Sequence, residues 1–346
     1  MIGYAPSGVG LFVSGESMVN SAGIAAARAR FAPAANAGGM GRPGSKLRMY
    51  ASVEVHFVCS RTRGRQGSPF SAADLLQRIV LPISDALARR LETAEAVDAA
   101  GCAEAQCALD VVSGASVKPV AGGVAVFCGV GSPLTHALGI GMHGPVTADD
   151  LDDVELFFEE RGAIVTLDVC PHADASLREL LAQRDYRIAE FINVMVCGLP
   201  AAESFKSPPC VQVRAAKPDE HEQYIRAVIG GFFGRKDLTE DERRLGSILF
   251  NMSCTTAFLA EIDDSTVGGG GMSVRNRIAS LFGDATLPEY RNRGVHTSVI
   301  QARMEAAAAQ ACDVITAGTV PGSGSQRNYE RLGFQVAYTK VTMVKA

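Results

Sequence analysis

The chain has 346 residues, 47% of them hydrophobic and 20% charged, a balance that suits two globular cores and excludes a disordered or fibrous polymer. A net charge of −4 argues against a general electrostatic grip on nucleic acid, and no apolar run reaches the roughly 18 residues needed to span a bilayer. Nine scattered cysteines include no C-x-x-C pair, which reads as reduced thiols in a cytoplasmic protein; Cys170-Pro171-His172 lacks further ligands at useful spacing, so no metal is expected.

Residues 1–69 are rich in Gly, Ala, Ser and Arg, with Glu16 and Glu54 as their only acids. Such a stretch buries little, and a loose extension is expected; organelle transit peptides share the composition. Regular patterning begins near Ser84, where Ile83, Leu87, Leu91 and Ala94 fall at helical spacing. Gly123–Val130 reads as a strand. Thr147 opens a helix with Leu151, Val154 and Phe158 inward, stopped at Gly162. A strand Ile164–Val169, a helix Asp174–Arg184 and a strand Ile188–Val196 follow. The Pro-rich stretch 200–210 reads as a linker between units 70–199 and 211–346.

The second unit contains Gly230-Gly231-Phe232-Phe233-Gly234-Arg235, which reads equally as a mobile apolar lid or as a kinked helix with core phenylalanines. Thr239–Glu242 has the pattern of a capping box. Gly268–Gly271 precede no helix and are expected to form a hairpin bulge, not a phosphate loop. After a strand Ile278–Thr286 comes a helix from Thr297 (Val299, Ile300, Met304, Ala307 and Ala308 inward), a strand Val314–Thr319, a helix Ser325–Leu332 and a strand Gln335–Val344. This order repeats that of the first unit. Thr147 and Thr297 lie 150 apart, as do Pro171 and Pro321; Tyr186 and Phe334 lie 148 apart, as do Met195 and Met343. Agreement in order, type and offset points to a duplication.

The segment Leu287-Pro288-Glu289-Tyr290-Arg291-Asn292-Arg293-Gly294-Val295-His296 joins a strand to a helix N-terminus. Backbone N–H groups and the helix dipole there converge on one spot, an arrangement suited to a diphosphate, and Arg291 and Arg293 add charge. With Asn328-Tyr329-Glu330-Arg331-Leu332-Gly333-Phe334, this segment resembles the GCN5-related N-acetyltransferase superfamily. Arg291, Gly294 and His296 fall on its R/Q-x-x-G-x-G/A motif, with His296 departing from the usual Gly or Ala. Asn328, Tyr329, Gly333 and Phe334 fall on its Asn…Tyr-E-x-x-G-F element.

The resemblance covers about 211–345 and implies an α/β (α+β) fold: two tandem acetyltransferase-like domains, each a mixed twisted sheet flanked by helices. It implies acetyl-CoA as co-substrate, held by Thr286, Leu287, Arg291, Asn292, Arg293, Gly294, Val295, His296, Thr297 and Asn328. Tyr329 would protonate the leaving thiolate, and Asp284 and Glu261 are candidates for the general base. In the first unit, Gly141-Met142-His143-Gly144-Pro145-Val146 has no arginine, and Pro145 lacks an N–H. At the 148 offset Leu180 and Leu181 replace Asn328 and Tyr329. The first unit is therefore expected to be silent, an arrangement known in tandem members of the superfamily, and His143 and His172 need no role. The acceptor is expected to be a small-molecule amine; a peptide or protein amine and a non-catalytic CoA-binding protein are the alternatives. Neither a nucleic-acid nor a membrane partner is expected, and the sequence carries no signal of oligomeric state.

Overall fold

The computed structural model describes residues 81–199 and 210–345. The extension over 1–69, and 200–209 of the linker, lie outside the described residues.

Helix α1 (Asp85–Leu109) starts where the pattern placed it, because the Ser84 hydroxyl accepts the Leu87 N–H at 3.2 Å. Strands β1 (Ser116–Val120) and β2 (Gly123–Phe127) are joined through Ala121 and Gly122, both at positive φ, as a two-residue hairpin turn demands. After β3 (His136–Leu138), α2 (Ala148–Glu159) is opened by a Thr147–Asp150 capping box and followed by Gly162 at φ +64°. Strand β4 (Val165–Val169), α3 (Ala175–Ala182) and β5 (Tyr186–Gly198) complete the first half.

The second half opens with β6 (Gln212–Ala215) and a kinked helical run, α4. It comprises His221–Tyr224, a π-helical turn Ile225–Ile229 and Gly230–Phe233, ended by Gly234 in the left-handed region. Of the two readings of 230–235 the helix is observed, yet Phe232 and Phe233 lie at its surface, 66% and 41% exposed. Next come α5 (Glu240–Asn251), with the Thr239–Glu242 capping box, then β7 (Thr255–Ile262), β8 (Ser265–Arg275) and β9 (Ile278–Thr286). Helix α6 (Val295–Ala309), β10 (Val314–Thr319), α7 (Gly324–Arg331) and β11 (Gln335–Lys345) close the chain. Helix α6 begins at Val295, ahead of the expected Thr297, since Gly294 at φ +82° turns the chain directly into it.

Equivalent starts in the two halves, Val165 and Val314, Ala175 and Gly324, Tyr186 and Gln335, are each 149 residues apart. The sheet order is β1-β2-β3-β4-β11-β5-β10-β9-β8-β7-β6. Only β3–β4 and β9–β10 are parallel. The last strand of each half has crossed to the other. Strand β5 pairs with β10 from Gly198–Val314 to Asn193–Thr319, β11 pairs with β4 from Val341–Val169 to Lys345–Val165, and the exchanged strands pair with each other. Each half thus supplies the ladder that the other's final strand needs.

Two main cores follow from the apolar faces. Leu151, Val154 and Phe158 of α2 pack with Phe127 and Leu167. Ile300 and Met304 of α6 pack with Phe258, Leu281, Ile315, Tyr329 and Phe334. Each large side chain so buried contributes about 1.5–3 kcal/mol. No helix among the described residues is long and apolar enough to cross a membrane.

Candidate functional site

Strands β9 and β10 are paired only from Ile278–Val314 to Leu281–Ala317, although β9 runs on to Thr286 and β10 to Thr319. They part where a bulge interrupts β9. The β8–β9 register shifts between Gly269 and Gly271, and Gly283 stands at φ +65°. The bulge expected in this stretch lies on β8 just ahead of Gly268, beside the β7–β8 hairpin, where Gly268 pairs with Ala260 but Thr266 with Glu261. Gly269–Gly271 are instead ladder residues facing the separate bulge on β9. In the ladder, Gly269 and Gly271 must be glycine because their neighbours leave no room for a side chain. A Cβ on Gly269 would lie 2.3 Å from the Phe258 carbonyl oxygen, and one on Gly271 would lie 2.3 Å from the Phe282 ring.

Beyond β9, Pro288–Tyr290 form a short 3₁₀ turn, and Asn292 and Gly294 both take positive φ. Helix α6 then starts with no side-chain cap and no acid in its first turn. Its first N–H groups therefore point outward as donors, at the positive end of a 15-residue helix. Thr286, Ser298 and Thr319, at the ends of the parting strands and in the opening of α6, each bury a hydroxyl without a hydrogen-bond partner among the described residues. Arg291 does not reach outward: it donates to the Gly231 and Thr286 carbonyls at 3.0 and 3.4 Å, tying the loop to α4. Arg293 lies over the Tyr290 ring at 5.5 Å.

At the inner end of the wedge a network converges on Asp284. The Tyr329 hydroxyl donates to Asp284 Oδ2. His296 Nε2 lies 3.0 Å from the same oxygen. Arg303 Nη2 lies 2.5 Å from Oδ1, as an ion pair without hydrogen-bond alignment. Arg303 has no exposed side-chain surface and also donates to the Val299 and Gly271 carbonyls at 3.1 and 2.9 Å. Gly270 makes room for the pair, since a Cβ there would stand 2.8 Å from both Arg303 Nη1 and Asp284 Oδ1. Burial alone would raise the Asp284 pKa; the Arg303 charge and the His296 and Tyr329 donors overcome it and hold it at about 2. Burial and the Asp284 charge push Tyr329 well above the usual phenol range, while Arg303 opposes them.

Asn328 faces this network. Its Oδ1 accepts from Arg331 at 2.8 Å, so its Nδ2 is the atom turned to His296 Nδ1, also at 2.8 Å. His296 Nδ1 thus faces the Asn328 amide, and Nε2 faces Asp284.

Thr286, Leu287, Arg291, Asn292, Arg293, Gly294, Val295, His296 and Thr297 are thus brought to one rim as the sequence suggested, with Asp284 and Tyr329 at its inner end. Asn328 stands beside them, hydrogen-bonded to His296 at 2.8 Å. One candidate falls elsewhere. Glu261 sits on edge-side β7 in an ion pair with Arg214 at 2.6 Å. Tyr329 differs in orientation: its hydroxyl, expected to face a departing thiolate, is turned inward and the residue is 1% exposed. Arg303 escaped the sequence reading. The signal was there, because it lies between Val299 and Ala307 on the apolar face of α6, where a guanidinium requires a buried acid.

The equivalent rim in the first half is closed chemically. The Thr147–Asp150 box caps α2, Asp149 and Asp150 load its first turn with negative charge, and the Val146 N–H is taken by Ser176 at 2.8 Å. The observed 149-residue spacing sets Glu179 and Leu180 opposite Asn328 and Tyr329, one position from the Leu180 and Leu181 expected. His143 and His172 have local partners, Thr93 at 3.3 Å and Asp85 at 2.7 Å.

Residues 222–334 match the model of the acetyltransferase (GNAT) family. No curated protein is matched. Among solved structures, a GCN5-related N-acetyltransferase from Kribbella flavida is similar at TM-score 0.53 and 16% identity, over 71% of this chain and 95% of that one. A GCN5-related N-acetyltransferase from Sphaerobacter thermophilus is similar at TM-score 0.41 and 19% identity, over 53% of this chain and 59% of that one.

Proposed function

The chain carries a domain of the acetyltransferase (GNAT) family over residues 222–334, and from that premise we propose that it is an acetyl-CoA-dependent N-acyltransferase whose second half does the chemistry. The observation that carries this reading is an uncapped, acid-free α6 N-terminus directly beside a strand pair that parts. A diphosphate fits the first feature through the N–H groups of Gly294, Val295, His296 and Thr297. An extended arm bearing amides fits the second, where β9 beyond Leu281 has no partner from β10 and Thr286, Ser298 and Thr319 hold unused hydroxyls. The first half offers no open helix N-terminus, because Thr147 and Asp150 cap α2 and acids fill its first turn, which supports one acyl-carrier site per chain.

The reaction is direct transfer. The amine nitrogen bonds to the thioester carbonyl carbon, the carbon–sulfur bond breaks, and the thiolate takes a proton. Backbone N–H groups at the Gly283–Asp284 bulge would meet the carbonyl oxygen as it gains charge. Tyr329 would supply the thiolate's proton. To do so its hydroxyl would turn from Asp284 to the sulfur, and the adjacent Arg303 would offset the charge left behind. Asp284, committed to three donors and held at about 2, acts as their anchor and not as the base. Glu261 is likewise committed to Arg214, so the attacking ammonium would lose its proton to water.

The acceptor would be the primary amine of a small molecule. Gly231 packs α4 against Thr286 and Leu287, which sets the exposed Phe232 and Phe233 of the same helix on this side of the wedge, an apolar surface for the body of a small amine. A peptide or protein amine is the second reading, favoured by β5, whose exposed segment 187–191 runs past the end of β10. Thiol release measured over a panel of small amines and amine-terminated peptides tests both. Thiol release with none of them, from protein that binds CoA, would reduce the chain to a CoA-binding protein.

A further inference from the structure

The part of the site left without a task is His296, whose side chain is 18% exposed while Tyr329 behind it is almost wholly covered. The ring stands on the second residue of α6, at the wedge, and bridges it. One nitrogen reaches Asp284 on β9 at 3.0 Å, and the other reaches Asn328 on α7 at 2.8 Å. The Tyr329 ring meets it edge-on, 5.9 Å between centroids and 84° between planes. With Asn328 oriented by Arg331, both ring nitrogens are consumed inside the protein, so neither can give a proton to a substrate or take one from it.

We propose that His296 is the gate of the acyl-carrier slot, an inference that rests on the reading of the site given above. With the ring seated, the inner end of the wedge is closed and Tyr329 is shut off from any thioester. The carrier arm enters when the ring turns outward, giving up its bonds to Asp284 and Asn328. The groups it leaves keep other partners. Asp284 retains Arg303 and Tyr329, and Asn328 retains Arg331, so opening does not strand a buried charge. Because the open state is the minor one, the gate weakens the apparent affinity by the fraction open, a factor on the order of 10 to 100 for two exchanged hydrogen bonds.

The test is calorimetric titration of the full chain with CoA. His296→Ala removes the gate and should tighten binding by roughly 10-fold or more. Asn328→Ala frees the ring from one partner and should tighten binding by a smaller factor. Equal or weaker binding by His296→Ala, with wild type binding well, overturns the gate and leaves the acyl-carrier reading intact. Absence of binding by both folded proteins overturns that reading and the gate with it. If His296→Ala does not fold, the wild-type protein answers by NMR. The gate requires a slowly exchanging His296 Nε2–H without CoA that exchanges rapidly with CoA bound; protection equal in both states overturns it.

Discussion

Replacing Arg303 by Met would remove the charge from the centre of the site while keeping an unbranched apolar stem. Asp284 would then remain ionised and buried with only His296 and Tyr329 as partners, and the Gly271 carbonyl would lose a donor. Removing one member of a buried ion pair costs about 3–5 kcal/mol, and the unsatisfied carbonyl adds about 1 kcal/mol. Against a total stability of roughly 5–15 kcal/mol this is a large loss, corresponding to a drop in Tm on the order of 10 °C. Urea unfolding of wild type, Arg303→Met, Asp284→Asn and the double variant measures the coupling directly. The double variant should recover at least about 2 kcal/mol relative to the sum of the single losses. A loss below about 1 kcal/mol for Arg303→Met alone would refute the argument that this pair is buried and mutually dependent.

The acid limb of stability should carry the mark of Asp284. Its folded pKa is depressed to about 2, so its contribution is present above the unfolded value near 3.8 and is lost as pH falls through about 2; Asp284→Asn should flatten the limb between those values. Gly270→Ala puts a methyl group 2.8 Å from both members of the pair and should cost about 1–3 kcal/mol in urea unfolding. Tyr329→Phe should lower kcat by roughly 10²-fold with CoA affinity within a few-fold, and unchanged kcat would remove the tyrosine from proton transfer. Residues 211–346 expressed alone should not form a stable monomer, because β11 would lack its ladder with β4 and β5; coexpression with 70–199 should restore a soluble complex.

Elements with strong local signals were legible in the sequence. Strands β9 and β10 have the expected bounds, and the caps at Ser84, Thr147 and Thr239 are where hydroxyl-bearing residues precede apolar periodicity. The turn from Thr286 into α6 was legible because Pro288 and Gly294 write it locally; the arginine directions were not, since Arg291 turns back onto the Gly231 and Thr286 carbonyls. What depends on distant partners was not. The exchange of β5 and β11 leaves no local trace, since either strand would read the same beside its own half or the other. Asn328, Tyr329 and Glu261 were assigned by position in a pattern, whereas their orientation is set by contacts with Arg331, Asp284 and Arg214 that the pattern does not show. His296 looked like a tolerated departure from a small residue. Only the placement of Asp284 and Asn328 on either side of it gives the ring a task.

The central claim, one acyl-carrier site per chain at the α6 N-terminus, is tested most directly by the stoichiometry of acetyl-CoA binding. Titration calorimetry should give one site per monomer. Gly294→Val, which forces a branched residue into the left-handed turn ahead of α6, should abolish binding, whereas Gly144→Val, which does the same at the first-half rim, should leave it unchanged. Two equivalent sites, or binding that survives Gly294→Val and is lost with Gly144→Val, would contradict the account.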